Sequence, residues 1–554
     1  MTFESMAEVT FSEEAEKTNT ANVTLREEIE KTNAETTKMS IELNQNERIV
    51  DGHDAEVNMT LKEGFRKCYK AILWSAFLSL AVIMEGYDNI LLSSLFGLPA
   101  FKKRYGTQDL NGNWNVSAKW QSAVVQAVKV GQFFGLFIAG WATDKFGFKK
   151  TTMLTCVITA ALIFMQFFCT SIGMLVAAEI LFGLPLSVFL TSTTVYAAEI
   201  CPLVLRPYLT TWVNLCWTIG KIISAGVLRG FVNNYSQWSY RIPFATQWIW
   251  PPIIFFGTIF APESPWWLVR HDRLDDARRS LQRLHSGATD QEVDNYFTQI
   301  MITNKHEVEQ QAGTSYFDCF KGSNLRRTEI ACMSWVVQPV SGFGIVAFAT
   351  YFFEQAGLSP SDAFSMSLAQ QAIAFCGGIA GWFLLPRIGR RNLMLWGLVA
   401  SFATQTAIGG LGIPEPKNGV AWSTGAVLFV YVLAYSMTIG PLSFVIVAEM
   451  GSSRLRSKTA VLARNAYQIA AIVSDILISY QINSSSWSWR GKAGFFWGGA
   501  NVLLWVYCYF RLPEIKDRTV LDLDLLFENK IIARKFKVTN IDIIGGMSSH
   551  EKAA

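Results

Sequence analysis

The feature that most constrains this chain is a series of apolar runs, each about 20 residues long, that recur between Ala71 and Arg511. A helix of about 20 apolar residues is long enough to cross the hydrocarbon core of a bilayer. Only 17% of the residues are charged, whereas soluble domains carry about a quarter, so much of the surface is expected to face lipid. The sequence therefore predicts an all-α membrane protein with twelve transmembrane helices, at 71–97, 120–142, 151–169, 173–195, 209–229, 244–261, 329–353, 362–385, 393–412, 422–447, 459–480 and 493–510.

Polar segments flank and divide these spans. Residues 1–65 are rich in acidic and other polar side chains, which predicts a disordered tail and no cleavable signal peptide. We expect six-helix bundles at 66–262 and 329–512, with a charged linker at 263–328 between them and a tail at 513–554. In the linker, Leu274, Ala277, Leu281 and Leu284 recur at helical spacing, which predicts surface helices.

Lysine and arginine residues are concentrated in the loops that fall on one side if every span crosses the membrane. Cytoplasmic loops are enriched in these residues, so both termini are predicted to be cytoplasmic, in a multi-pass protein of the cell membrane. The basic run 102–104 on the opposite side is an exception. Two glycosylation sequons, at Asn115 and Asn483, fall on the predicted outside and favour a glycoprotein.

Three pairs of segments recur in the same order at separations of 242, 250 and 251 residues. The segment that starts at Asp144 is echoed from Pro386, the segment at 198–206 is echoed at 448–456, and the segment at 262–265 is echoed from Pro513. Three ordered matches indicate a duplicated six-span unit. Parallel repeats of this kind are typical of transporters in which two halves move around a central site.

The repeated segments have the chemistry of a conformational switch. A loop aspartate, glycines that allow tight turns and a basic cluster can join neighbouring helix ends by charge-assisted hydrogen bonds. The alternative is that these charges only set membrane topology. The predicted gating residues are Gly140, Asp144, Gly147, Lys149, Glu199 and Arg206 in the first half and Arg387, Gly389, Arg390, Glu449 and Arg456 in the second.

Glu85 and Asp88 are the most informative polar residues within the spans. They lie three residues apart in the first span and so share a helix face. A charge at the bilayer centre costs roughly 2.5–3.5 kcal/mol on insertion scales, so both acids need an explanation. We predict that they carry the coupling proton. The structural alternative is an ion pair with Lys129 or Lys221.

Nothing in the sequence points to catalysis or to a bound cofactor. The nine cysteines are scattered without CxxC or metal-ligand spacing, which argues against a disulfide framework or a zinc site. The soluble segments contain no nucleophile–base constellation and no phosphate-binding glycine loop. We therefore expect no enzyme activity, no metal and no cofactor, with the proton as coupling ion.

Several motifs resemble the sugar porters of the major facilitator superfamily, and among them the fungal maltose permeases, which are α-glucoside:proton symporters. The resemblance extends over residues 62–530, and it implies the twelve-helix major facilitator fold. The motifs are Met84-Glu-Gly-Tyr-Asp88, the loop from Gly140 to Lys150, Gln247-Trp-Ile-Trp-Pro251, the segment from Ala261 to Arg270, Tyr351-Phe-Phe-Glu354 and Val461-Leu-Ala-Arg464.

The resemblance also implies site residues. Asp88 matches the first-span aspartate of proton-coupled sugar porters, and Glu85 matches an acid of the maltose permeases. Some positions depart from the family pattern, because Gln132 replaces a coupling glutamate, Glu179 an arginine, Lys221 a glutamine and Phe444 a tryptophan, and Pro339 replaces the second residue of a glutamine pair. The expected substrate-binding residues are Gln132, Glu179, Lys221, Gln338, Phe444 and Arg464, with Trp335 or Tyr435 as further aromatic surfaces.

These features together predict a monomeric permease that imports an α-glucoside such as maltose by proton symport with alternating access. Its expected partners are a small-molecule sugar and the lipid bilayer, with no nucleic acid. Two alternatives stay open. One is transport of another organic solute, including a charged metabolite, which Lys221, Glu179 and Gln132 favour; the other is a sugar sensor that does not transport.

Overall fold

We describe a computed structural model of the chain. The structure describes residues 59–547 except 109–113, 203, 286, 311–314, 348, 351–352, 354–357, 386, 415–417, 452–454, 483–486, 517, 519–522, 524–525, 540 and 543–545. Within this part of the chain, ten helices are long and apolar enough to cross a membrane. Two short antiparallel hairpins lie outside them, one pairing Thr107–Gln108 with Trp114–Asn115 and the other pairing Ile541–Asp542 with Gly546–Met547.

The first half has six spans. The first span consists of helices Tyr69–Ser79 and Val82–Leu95, and a short helix, Pro99–Tyr105, follows it. The second to fifth spans are Ala118–Phe146, Phe148–Phe167, Ile172–Ile200 and Arg206–Phe231. The sixth is divided into Trp238–Thr246, a 3-10 turn at Gln247–Ile249, and Trp250–Phe260.

The second half repeats this arrangement. Its seventh span comprises Gly322–Gln338, a π turn at Pro339–Phe343 and Gly344–Ala347. The eighth and ninth spans are Pro360–Leu384 and Arg390–Leu411, and the tenth is formed by Asn418–Met437 and Ile439–Met450. The eleventh is Arg456–Ile482, and the twelfth is Ala493–Arg511 after a 3-10 turn at Arg490–Lys492.

The ten long apolar helices are spans one to five and seven to eleven, and the divided sixth span and the twelfth complete the set. The prediction of twelve helical spans in two halves is therefore confirmed. The boundaries shift by several residues, and the largest change is in the seventh span, which begins at Gly322 instead of residue 329. We call the end of the bundle that carries the loops after the even-numbered spans the motif end, and the opposite end the far end.

Four spans, the first, sixth, seventh and tenth, are interrupted along their length. In the first span, Leu80 and Ala81 donate to carbonyls three residues back, so the helix tightens and turns just before Glu85. In the seventh, Pro339 has no backbone N–H to donate and Gly342 has a φ of 90°, in the left-handed region. The carbonyl of Ser341, freed by the break, accepts bonds from Tyr431 Oη at 3.2 Å and from Asn501 Nδ2 at 3.1 Å.

The linker forms a small helical unit at the motif end. Helices Pro265–Arg270, Leu274–Leu284 and Asp290–Gln310 bury the predicted apolar stripe, with Ala277, Leu281 and Leu284 almost fully enclosed, whereas Leu274 is 37% exposed. A 3-10 turn at Tyr316–Phe320 then leads into the seventh span. The linker helices therefore bury their apolar stripe in a cluster that they share with the first, third, fourth and fifth spans.

Both ends of the described chain pack against this end of the bundle. The short helix Leu61–Lys67 ends with an ion pair from Lys67 to Glu292 at 2.9 Å, and Cys68 Sγ lies 3.4 Å from His285 Nδ1. Burial lowers the pKa of His285 to about 4, so this contact is with a neutral ring. After the twelfth span, a 3-10 turn at Ala533–Lys535 places Phe536 against Phe527, with ring centroids 5.0 Å apart.

We expect Gly342→Ala to impair folding and transport. An alanine would have to hold a φ of 90°, and its Cβ would lie 2.9 Å from Trp497 Cβ. The left-handed conformation alone costs about 1–2 kcal/mol for a residue with a Cβ. Thermal unfolding of the purified protein should show a lower midpoint than the wild type. Gly226→Ala, in the fifth span with open space around its Cα, is the matched control, and equal midpoints for the two variants would contradict a requirement for glycine.

Candidate functional site

A buried cavity lies between the two halves, near the interruptions of the first, seventh and tenth spans. The first half contributes Glu85, Trp217 and Lys221, and the second half contributes residues from the seventh, eighth, tenth and eleventh spans. A second, adjoining cavity shares Glu85, Trp217, Arg464 and Tyr467 with the first and extends toward Asp88 and Gln132. Among the predicted substrate-binding residues, the first cavity contains Lys221, Gln338, Phe444 and Arg464, and the second contains Gln132 and Arg464.

Glu85 connects the two halves through charge and hydrogen bonds. Its Oε1 lies 3.2 Å from an Arg464 guanidinium nitrogen and accepts a bond from Gln132 Nε2 at 3.0 Å. Gln132 Oε1 in turn accepts a bond from Gln468 Nε2 at 2.7 Å. Neither lysine proposed as an ion-pair partner bonds to Glu85; Arg464, from the eleventh span, takes that place. The sequence offered Arg464 as one of two cations that could balance the buried acids, and the structure pairs it with Glu85.

Asp88 lies one helical turn beyond Glu85, in the wall of the second cavity. Its Oδ1 accepts a hydrogen bond from Gln247 Nε2 at 3.3 Å. Glu179 is fully buried, lines neither cavity, and accepts a bond from Gln166 Nε2 at 3.0 Å. In the described part of the chain, Asp88 Oδ2 and Glu179 Oε2 have no hydrogen-bond partner. Among the residues that the structure describes, these two buried acids therefore have no cation beside them.

A second ion pair joins the halves toward the far end. Lys129 of the second span bonds to Asp475 of the eleventh, and both side chains are buried. A Cβ at Gly344 would lie 2.7 Å from Asp475 Oδ1, so the pair also borders the interruption of the seventh span. Sequence reasoning missed Asp475. The signal was present, because an acid inside a predicted span requires a partner.

Aromatic rings form much of the cavity wall. Trp335 and Phe444 meet edge to face with centroids 4.6 Å apart, and Phe343 stacks on Tyr435 at 4.2 Å. The Arg464 guanidinium lies 4.5 Å from the centroid of the Trp335 ring. Aromatic faces and a few polar groups are the usual composition of small-molecule sites.

Lys221 projects into the cavity from the fifth span and is 3% exposed. Its ammonium nitrogen lies 3.5 Å from the centroid of the Trp217 ring and 5.0 Å from that of Phe343. Such contacts stabilise a desolvated cation by about 2 kcal/mol. The lysine therefore faces open space with aromatic rings on its flanks.

The gating residues of the first half form a network at the motif end. Gly147 has a φ of 84°, which turns the chain so that Phe148 N and Lys149 N donate to the Glu263 carboxylate at 2.9 and 3.1 Å. Burial raises the pKa of Glu263, although these backbone donors act in the opposite direction. Glu199 pairs with Arg270 at 2.5 Å, and Trp267 Nε1 donates to the Asp144 carbonyl at 2.9 Å.

The second half repeats this network. Glu514 occupies the place of Glu263, because it accepts bonds from Arg390 N at 2.8 Å and Arg391 N at 3.2 Å. The side chain of Arg391 donates to the Tyr509 carbonyl, as Lys149 does to that of Ile259. The duplication inferred from three short segments is thus visible in matching hydrogen bonds. A Cβ at Gly389 would lie only 2.0 Å from Glu514 Oε2.

One partner differs between the two networks. Glu449 receives a bidentate bond from Arg390, at 3.2 and 2.9 Å. Phe148 stands at the corresponding position of the first half, so Glu199 takes Arg270 of the linker instead. The predicted side-chain roles of Arg206 and Arg456 concern side chains outside the described part of the structure, and Arg387 is exposed.

Contacts join the halves at both ends of the cavity. At the motif end, the second span lies next to the eleventh, because a Cβ added at Gly140 would be 4.0 Å from Val461 Cγ2. The positive charge of Lys458 also attracts the carboxylate of Asp144. At the far end, Arg229 Nε donates to Ser365 Oγ at 2.8 Å. Substrate entry from either side would therefore require these contacts to separate.

Comparisons with known proteins agree with this architecture. Residues 74–527 match the model of the family described as sugar (and other) transporters. The chain is 39% identical to maltose permease MAL61 of Saccharomyces cerevisiae over 499 residues, 89% of this chain and 81% of the relative, and 37% identical to a general α-glucoside permease of the same yeast over 520 residues, 93% and 84%.

Solved structures give the same fold. The proton:xylose symporter XylE of the major facilitator superfamily, bound to 6-bromo-6-deoxy-D-glucose, superposes with a TM-score of 0.69 at 17% identity, covering 84% of this chain and all of that one. A partially occluded inward-open form of XylE from E. coli gives a TM-score of 0.66 at 16% identity, covering 82% and 99%. The prediction of a major facilitator fold is confirmed.

We expect either single change at the inter-half pair, Lys129→Ala or Asp475→Ala, to lower the amount of folded protein. Removing one partner of a buried ion pair typically costs about 3–5 kcal/mol. The exchange of both residues, Lys129→Asp with Asp475→Lys, should recover much of the loss. Surface abundance and uptake measure the effect, and the exposed pair Arg278–Asp294 provides the matched exchange control. If the exchange variant lost as much folded protein as the two single variants together, a direct pairing of Lys129 with Asp475 would be contradicted.

We also expect Glu199→Ala and Glu449→Ala to slow uptake by about tenfold while surface abundance stays close to wild type. Each change removes a charge-assisted bond that contributes about 1.5–3 kcal/mol at the closed motif end. Initial uptake rates, normalised to surface protein, test this. Asp294→Ala, which breaks an exposed ion pair of the linker, should have little effect. Unchanged uptake in both glutamate variants would leave these charges with a topological role alone.

Proposed function

Because this chain belongs to the sugar transporter family of the major facilitator superfamily, we propose that it imports an α-glucoside, such as maltose, together with a proton. Its similarity to yeast permeases for maltose and α-glucosides supports the choice of substrate. The observation that carries the coupling proposal is the position of Glu85, a buried acid in the cavity that bonds to Arg464 of the opposite half.

The proposed coupling follows from the two states of Glu85. When ionised, it holds Arg464 and accepts a bond from Gln132. A proton removes the charge that attracts Arg464, so the guanidinium becomes free to donate to substrate oxygens. Proton and substrate therefore favour each other's binding, which corresponds to a negative coupling free energy between the two sites.

Release reverses these steps on the other side. Where protons are scarce, Glu85 ionises, recovers Arg464 and weakens the hold on the substrate. Asp88, one turn away and with one oxygen unpartnered in the described structure, offers a second position for the proton. The membrane potential contributes about 2.3 kcal/mol per charge per 100 mV to inward movement.

The sugar is proposed to bind against the aromatic walls of the first cavity. Phe343 with Tyr435, and Trp335 with Phe444, provide aromatic rings in the wall of this cavity. Gln338 lines this cavity but donates to the Gly440 carbonyl at 2.8 Å. That bond ties the broken seventh span to the tenth, so substrate contact with Gln338 would couple binding to their relative position.

The motif end and both termini are proposed to face the cytoplasm, with the protein in the cell membrane. The support is the concentration of basic residues in short loops at this end, since lysine and arginine near span ends set orientation. The linker unit would then be cytoplasmic. This orientation places the gating networks where the inward-opening contacts must separate.

Replacement of the coupling acids should separate exchange from accumulation. We expect Asp88→Asn and Glu85→Gln to reduce uphill accumulation of labelled maltose by at least about tenfold, because a tenfold gradient corresponds to about 1.4 kcal/mol of coupled energy. Substrate-induced alkalinisation of the medium should also fall. Counterflow between equal pools should persist, because exchange needs no net proton movement.

The control is Asp275→Asn, which removes an exposed acid from the linker and should leave accumulation and alkalinisation unchanged. Full accumulation by the double variant, Glu85→Gln with Asp88→Asn, would disprove proton coupling through these acids. The protein would then act as a facilitator with structural carboxyl groups.

A further inference from the structure

We propose that the preferred substrate is an acidic glycoside whose carboxylate binds Lys221. This inference deepens the proposed function and rests on it, since it assumes that a glycoside enters the cavity between the halves. It concerns the chemical class of the glycoside and is carried by the charges and hydrogen-bond donors of the cavity.

Lys221 is a buried basic side chain in the wall of the cavity. Within the described residues, its ammonium group has no hydrogen bond and no ion pair, although it is only 3% exposed and lines the cavity. The faces of Trp217 and Phe343 stabilise it from the sides but accept no hydrogen bond in place of water. A buried charge without a partner is strongly unfavourable, so this site is built for a group that arrives with the substrate.

The other charges around the cavities do not neutralise Lys221. Lys129 is matched by Asp475, and Glu85 is matched by Arg464. Lys221 is then left as one excess positive charge in the first cavity, and the remaining acid, Asp88, lines the second cavity and accepts a bond from Gln247. If Glu85 binds a proton during loading, Arg464 also loses its partner, and the excess rises to two. A neutral sugar would leave that imbalance in place, whereas a carboxylate would reduce it.

The uncommitted hydrogen-bond groups show the same bias. Trp217 Nε1 and Arg464 Nε both belong to residues that line the cavity, and both are buried without an acceptor in the described structure. These nitrogens and the lysine ammonium can only donate. Glu85 Oε2 is an acceptor beside them that has no partner in the described structure, and a proton bound to Glu85 would occupy this oxygen. A carboxylate supplies two acceptor oxygens and no donor, which fits this set.

Two glycosides that differ at one position provide the test. Methyl α-D-glucopyranoside carries a CH₂OH group at C6, whereas methyl α-D-glucopyranosiduronate carries a carboxylate there. Uptake of both labelled compounds is measured in cells that lack other sugar permeases, with the full-length wild type. We expect a KM for the uronate at least tenfold below that for the neutral glycoside.

Substitutions at Lys221 assign the preference to this residue. Lys221→Gln should raise the ratio of the KM for the uronate to the KM for the neutral glycoside at least tenfold, whereas Lys221→Arg should keep the preference. Lys119→Gln, the same change at an exposed position, is the control. Thermal shifts of the purified variants with each glycoside report binding even where transport is lost.

The outcomes separate this inference from the proposed function. Uptake of the neutral glycoside with no preference for the uronate would overturn the acidic-substrate inference and leave the α-glucoside proposal intact. An equal change for both glycosides in Lys221→Gln would likewise overturn it, because the lysine would then be structural. Absence of uptake, counterflow and thermal shift for both compounds would overturn both proposals.

Discussion

A bilayer offers no water to solvate a buried charge, and this constraint organises the interior of the protein. Each charged side chain within the spans must find a partner on another helix or accept the cost of isolation. Glu85 finds Arg464 and Lys129 finds Asp475, and in both cases the partner belongs to the other half. These two ion pairs thereby join the halves, together with the contacts at both ends of the cavity.

The duplicated networks at the motif end follow from a related constraint. Backbone amides that begin the third and ninth spans have no intrahelical acceptor, and Glu263 and Glu514 each accept two of them. Each carboxylate also fixes the loop after the sixth or twelfth span against its own bundle. Because Phe148 replaces an arginine, the first network depends on Arg270 of the linker. The linker is therefore part of the first half's hydrogen-bond network at the motif end.

The central cavity exists because several helices are interrupted there. The seventh span uses Pro339 and Gly342 to turn, and Tyr431 and Asn501 satisfy the carbonyl that the turn releases. Irregular backbone inside a membrane is tolerated only where protein or a cavity surrounds it. The interruptions and the polar groups therefore occur together, with aromatic walls around them and Lys221 at the edge of the cavity.

The sequence alone determined the number of spans, the two halves, the family and the residue types of the site, because bilayer thickness sets helix length and buried charges are conspicuous in apolar runs. It also indicated Glu85, Lys221 and Arg464 as site residues. Only the tertiary structure decided that Arg464 pairs with Glu85, that Asp475 pairs with Lys129 and that Glu179 lies behind the cavities. Such pairs join residues hundreds of positions apart, and they depend on the depth and rotation of each helix, which packing between helices sets and local sequence patterns do not encode.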